Sequence, residues 1–86
     1  MISSNAELYE VVEGMRTALQ NAGYQQWSDT LADAMSISTS TAEILGETRL
    51  QLRKLQATTI PDALGLGHQL NEALSYLDDV LRDYFR

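Results

Sequence analysis

The chain has no cysteine and only one proline, one histidine, one tryptophan and one phenylalanine in 86 residues. Without cysteine there can be no disulfide, no thiolate metal ligand and no cysteine nucleophile. That usage suits a cytoplasmic protein. The single histidine, His68, is in no Glu-x-x-His pair, so the residues of a bundle di-metal site are missing. No apolar stretch approaches the roughly 20 residues of a membrane span. Met1-Ile2-Ser3-Ser4-Asn5 has neither the basic region nor the apolar run of a signal peptide. A soluble protein with no membrane partner, no metal and no cofactor is expected.

Basic residues are scarce as well. Six lysines and arginines face twelve acids, for a formal charge of −6. The imbalance is local. Residues 1–48 hold seven acids (Glu7, Glu10, Glu13, Asp29, Asp33, Glu43 and Glu47) against Arg16 alone, whereas residues 49–86 hold five acids and five bases. Such a field draws basic partners and repels nucleic acid and anionic membrane.

Hydrophobic residues make up 44% of the chain, and their spacing is helical. Ser4-Asn5-Ala6-Glu7 has the form of a capping box, with Ser4 and Glu7 each satisfying an orphan N–H. Behind it Leu8, Val11, Val12, Met15, Leu19 and Ala22 mark one helical face. Gly23 ends that helix, because it adopts a left-handed conformation cheaply. Gly14 interrupts it, at a cost of up to about 1 kcal/mol relative to alanine, and would permit a close helix approach. Tyr24, Trp27, Leu31, Ala34 and Met35 mark a second face, so a tight αα-hairpin is expected, with Tyr24 and Trp27 packed as core at its corner ahead of any role as interface anchors. The hydroxyl-rich run 36–41 reads as a loop. Ser40-Thr41-Ala42-Glu43 then repeats the capping box, followed by Ile44, Leu45, Thr48, Leu52 and Leu55, with Leu50 off the stripe. Pro61 breaks the pattern and pushes Ile60 toward an extended conformation, leaving 62–67 as a turn or a short helical piece. Leu70, Leu74, Leu77, Leu81 and Tyr84, flanked by Ala73, Val80 and Phe85, mark the last helix. The expectation is all-α: one domain over 1–86, an antiparallel four-helix bundle with helices at about 5–22, 24–35, 41–56 and 68–85.

Histidine phosphotransfer domains follow their acceptor with a leucine, a lysine and a glycine. His68-Gln69-Leu70-Asn71-Glu72 keeps only the leucine, so His68 is expected as a solvent-side residue at a helix start. Carrier proteins hold phosphopantetheine on an Asp-Ser-Leu motif, and no such motif occurs here. Asp78 and Asp79 diverge by about 100° on a helix and suit ion pairs with Arg82 and Arg86 better than a metal. Arg49, Arg53 and Lys54 lack the interleaved aromatics of a nucleic-acid surface and are expected to pair with Glu47 or with acids of a neighbouring helix. No catalytic residue is assigned, so the chain does not read as an enzyme.

The segment Thr41-Ala42-Glu43-Ile44-Leu45-Gly46-Glu47-Thr48-Arg49-Leu50, with Ala73-Leu74-Ser75-Tyr76-Leu77-Asp78 further on, resembles a group of small bacterial helical proteins. In that group a Ser/Thr-rich loop leads into a Leu-Gly-Glu-Leu-Arg helix, and an Ala-x-Tyr-Leu-Asp helix closes the chain. Thr48 stands where the group has leucine. The group is similar to immunity proteins encoded beside secreted polymorphic toxins. The resemblance implies a binding protein with no active site, which occludes a toxin in the cell that makes it. Many such toxins are nucleases with basic clefts, which an acidic inhibitor would fill. The expected partner-binding residues are Glu7, Glu10, Glu13, Asp29 and Asp33 as a negative surface, with Tyr24, Trp27 and Leu50 as apolar anchors. The other function open at this point is a structural or homodimeric interaction module.

Overall fold

Each helix end has a local cause. The computed structural model describes residues 1–84, with α1 at Asn5–Asn21, α2 at Gln25–Met35, α3 at Thr41–Gln56, α4 at Ile60–Leu64 and α5 at Gly67–Tyr84. Phe85 and Arg86, expected as the end of the last helix and as an ion-pair partner, lie outside the described residues. All five elements are helical, and there is no strand among the described residues.

Ser4 and Ser40 cap α1 and α3 by accepting the N–H groups of Glu7 and Glu43 at 3.2 and 3.4 Å. Neither capping box takes the expected reciprocal form: the Ser40 N–H donates to the Ser38 hydroxyl at 3.0 Å rather than to Glu43. Glu7 turns one residue further back, where the N–H and hydroxyl of Ser3 donate to its carboxylate at 3.3 and 2.7 Å. Two donors on Ser3 outcompete the single N–H of Ser4. At the other end of α1 the Tyr24 N–H donates to the Leu19 carbonyl and the Gly23 N–H to the Gln20 carbonyl, with Gly23 at φ +92°. This is the Schellman arrangement, and it explains why one glycine suffices to separate α1 from α2. Gly14 makes no close approach: a Cβ there would meet nothing within 4 Å.

The region around Pro61 departs from expectation. Ile60 is not extended but opens α4, with Pro61 in its first turn and buried. There the missing N–H has no carbonyl to bond in any case. Thr58 secures the approach: its hydroxyl donates to the Leu55 carbonyl at 2.7 Å and accepts the Ile60 N–H at 3.2 Å. Gly65, at φ +69°, closes α4 with a second Schellman pair, which turns Leu66 into the core.

The four long helices pack in a ring, α1 on α2, α2 on α3, α3 on α5 and α5 on α1, with α4 against α3 and α5. Leu8, Val12, Leu19, Leu31, Leu45, Leu52, Leu74, Leu77 and Leu81, the core expected from periodicity, are all buried, and Ile2 and Leu66 from outside the helices join them. At the α3–α5 seam residue numbers run oppositely, Gln56 meeting Asn71 while Arg49 and Arg53 meet Asp78. Along the N-terminal segment they rise together, the Met1 amine meeting Glu72 and Asn5 accepting from the Tyr76 hydroxyl. Among the described residues two buried side chains are polar: Ser28 on α2 and Thr48 on α3 are fully enclosed, and neither hydroxyl has a partner there. No helix among the described residues is long and apolar enough to cross a membrane.

Candidate functional site

The α1–α2 hairpin carries most of the residues expected to bind a partner. Glu7, Glu10, Glu13, Asp29 and Asp33 are all exposed, because each lies off the apolar stripe of its helix. They are not equivalent. Glu7 is engaged in the cap of its own helix, and the Ser3 hydrogen bonds hold its carboxyl below the usual glutamate range. Glu13 accepts both oxygens' worth of hydrogen bonds from the Arg16 guanidinium at 2.9 Å. Arg16 also donates to the Ser28 carbonyl at 2.9 Å, so this one cation ties α1 to α2 while neutralising Glu13. Asp29 accepts from the Gln25 amide at 2.8 Å. Glu10 and Asp33 alone among the five have no side-chain partner among the described residues.

The apolar candidates also divide. Tyr24 is 38% exposed at the start of α2, and Leu50 is 47% exposed on the outward side of α3. Trp27 is half-buried, with one part of its ring packed on the core. The rest lines a shallow cleft of about 290 Å³ between α2 and α3, together with Gln26, Thr30 and Gln51. Neither Tyr24 nor Leu50 lines this cleft. The three polar residues were not picked out from the sequence, since uncharged side chains beside a tryptophan carry no motif. A second groove, of about 240 Å³, is formed by Met1, Ile2, Glu72, Ser75, Tyr76 and Asp79. Both fall short of the roughly 300 Å³ at which drug-sized ligand pockets begin.

Arg49 and Arg53 face a carboxylate of a neighbouring helix rather than Glu47, whereas Lys54 makes no ion pair among the described residues. Arg53 bonds both oxygens of Asp78 at 2.9 and 2.8 Å, and Arg49 approaches the same carboxylate at 3.5 Å. Glu47 instead accepts from Gln51 at 2.9 Å. Arg82 pairs with Asp79 at 2.8 Å. His68 is exposed at the start of α5, 3.1 Å from Glu72. Among the described residues no three carboxylate or imidazole side chains converge as a metal set. Burial, followed by the neighbouring charges of Tyr9, Glu7 and Tyr84, pushes the Tyr76 hydroxyl above its usual range.

No protein-family model matches the chain, and no curated protein or solved structure shows significant similarity to it.

Proposed function

We propose that this chain is a non-catalytic acidic domain that binds a basic protein partner through the outward side of α1 and α2, as an immunity protein that neutralises a cognate bacterial toxin in the cytoplasm. In this reading its four long helices form an antiparallel bundle. The observation that carries the reading is the separation of its charges. Of the seven acids in residues 1–48 only Glu13 has a cationic partner among the described residues. Arg16, Arg49, Arg53 and Arg82 are all occupied by carboxylates. The field reaching solvent is therefore negative and concentrated on one half. Electrostatic steering by such a field speeds association with a basic partner, and speed matters to a protein that must intercept a toxin. The resemblance of residues 41–50 and 73–78 to toxin-neighbouring proteins supplies the class of partner.

The test pairs this chain with the product of the adjacent gene. Co-purification and rescue of a host that expresses that product are expected. Glu10→Lys with Asp33→Lys should slow association far more than it speeds dissociation, and added salt should erase the difference, since screening shortens to about 8 Å at physiological ionic strength. Equal association rates at low salt would remove charge from the mechanism.

A second reading, a homodimeric interaction module, draws on Tyr24, Ile37 at 58% exposure and Leu50, three apolar side chains left at the surface. Light scattering decides between the two. A tight dimer that Leu50→Glu disperses supports the module, whereas a monomer supports the toxin-binding reading.

A further inference from the structure

We propose that the cleft between α2 and α3 receives an arginine side chain of the basic partner, stacked against the indole of Trp27, a placement that rests on the partner-binding reading above. Size comes first. About 290 Å³, open to solvent and lined by four side chains, holds one long side chain but not a drug-sized molecule. The chemistry of the walls comes next. Trp27 offers the best ring for a cation, and a planar guanidinium stacks on it better than an ammonium does. The Gln51 amide N–H donates to Glu47 at 2.9 Å, and the Thr30 hydroxyl donates to the Gln26 carbonyl at 2.8 Å. One Gln51 N–H and the Thr30 hydroxyl are committed to these bonds, and the side-chain carbonyls of Gln51 and Gln26 and the lone pairs of Thr30 are acceptors that a guanidinium can use beside the indole face.

Charge fixes the sign of the occupant. Asp29 and Asp33 each follow a cleft residue by three positions on α2, so they lie one turn along the same side of the helix from Gln26 and Thr30. Glu47 lies one turn from Gln51 on α3 and has no cationic partner among the described residues. Arg16, which bonds the Ser28 carbonyl, and Arg49 and Arg53 are each held by a carboxylate, and Lys54 lies three residues beyond Gln51. Asp33 and Glu47 both sit toward the 36–40 loop, whereas Lys54 and Tyr24 sit toward the far end. The guanidinium is therefore drawn to the loop end of the cleft. An acidic or phosphorylated occupant would instead come within a helical turn of Asp29, Asp33 and Glu47 and would gain nothing from the indole face.

Trp27 is the only tryptophan, so its indole N–H signal is assigned without ambiguity and lies at the cleft. The probe is an acetyl-Gly-Arg-Gly-amide peptide titrated into the isotopically labelled full chain at low salt, with the citrulline peptide as the neutral isostere. The arginine peptide should shift the Trp27 indole N–H and the Thr30 and Gln51 amides saturably, and the citrulline peptide should leave them in place. Gln51→Lys, at a partly exposed position, should weaken that response at least tenfold without lowering the melting temperature. Shifts confined to Glu10 and its neighbours on α1, with Trp27 unmoved, would overturn the cleft while keeping the acidic surface. No shift anywhere would overturn the cleft. Failure of the adjacent gene product to bind would separately overturn the reading beneath it.

Discussion

Every arginine described in residues 49–84 lies against a carboxylate, whereas in residues 1–48 one arginine answers one carboxylate of seven. The second half uses its charges as joints: Arg49 and Arg53 close α3 onto α5 through Asp78, and Arg82 holds Asp79 along α5. The first half has a single joint, Arg16, and leaves the remaining acids facing water. Both halves nevertheless contribute to one apolar core, with Leu8, Val12, Leu19 and Leu31 in the same cluster as Leu45, Leu52, Leu74 and Leu77. The halves therefore share their stability and differ in their surface. Uncompensated charge can accumulate on α1 and α2 because the core beneath, and not ion pairing, holds those helices in place.

The strongest way to break this comparison is to truncate the shared core. Leu77 is fully buried on α5, and Leu77→Ala should cost about 2–5 kcal/mol. The signal to follow is Trp27 fluorescence on α2, in the opposite half of the sequence. One cooperative transition at lower temperature is expected. A wild-type-like transition at Trp27, alongside loss of helix elsewhere, would show that the halves unfold separately.

Thr48 lies on α3, where the two halves meet, with its hydroxyl fully enclosed and unpartnered. Thr48→Val keeps the branched shape and removes the unsatisfied group, so it should raise stability by about 1 kcal/mol. A lower melting temperature would mean that the hydroxyl has a partner, such as a bound water.

How much of this could be read from the chain depended on whether the cause was local. Stripes at spacings of three and four placed the four long helices within about a residue of their ends, and all nine core residues taken from those stripes are buried. Ile2 and Leu66 escaped because their burial comes from chain turns outside any periodic run. The short α4 departs from expectation at Ile60, where the steric rule for a residue before proline yields to a helix that begins one residue earlier. The candidate site was legible as composition but not as geometry. The sequence picked out five acids, but not that Glu7 and Glu13 are bonded within the fold. The Gln26, Thr30 and Gln51 walls beside Trp27 belong to two helices, and no spacing along one helix reveals such a meeting.

Charge substitutions sharpen the contrast between the halves. Asp78→Asn should cost up to about 1 kcal/mol, the range for partly exposed ion pairs, because it leaves Arg49 and Arg53 facing a neutral group. Glu10→Lys with Asp33→Lys changes the net charge by more, yet melting should stay within about 0.5 kcal/mol of wild type, since neither carboxylate holds a partner. Matched thermal melts of both variants check the pair. Equal losses would mean that the first half also uses its acids for internal support.

The smallest effect concerns Glu7. Two hydrogen bonds from Ser3 hold it below the usual glutamate range of about 4.3. A carboxyl whose folded value is depressed stabilises the fold above its unfolded value, and that contribution disappears as pH falls through the folded value. The affected window therefore lies on the acid limb, below the ordinary glutamate range, and neutral pH sits on the plateau. Ser3→Ala removes the stronger of the two bonds and should move the Glu7 carboxyl upward in a pH titration followed by NMR. Glu7→Gln should flatten the acid limb of the melting profile and lower the Tyr76 hydroxyl toward its usual range, since Glu7 is one of the charges that raise it. If Glu7 instead titrates at an ordinary value in the wild type, it is not engaged in capping α1 and belongs with Glu10 and Asp33 on the outward surface.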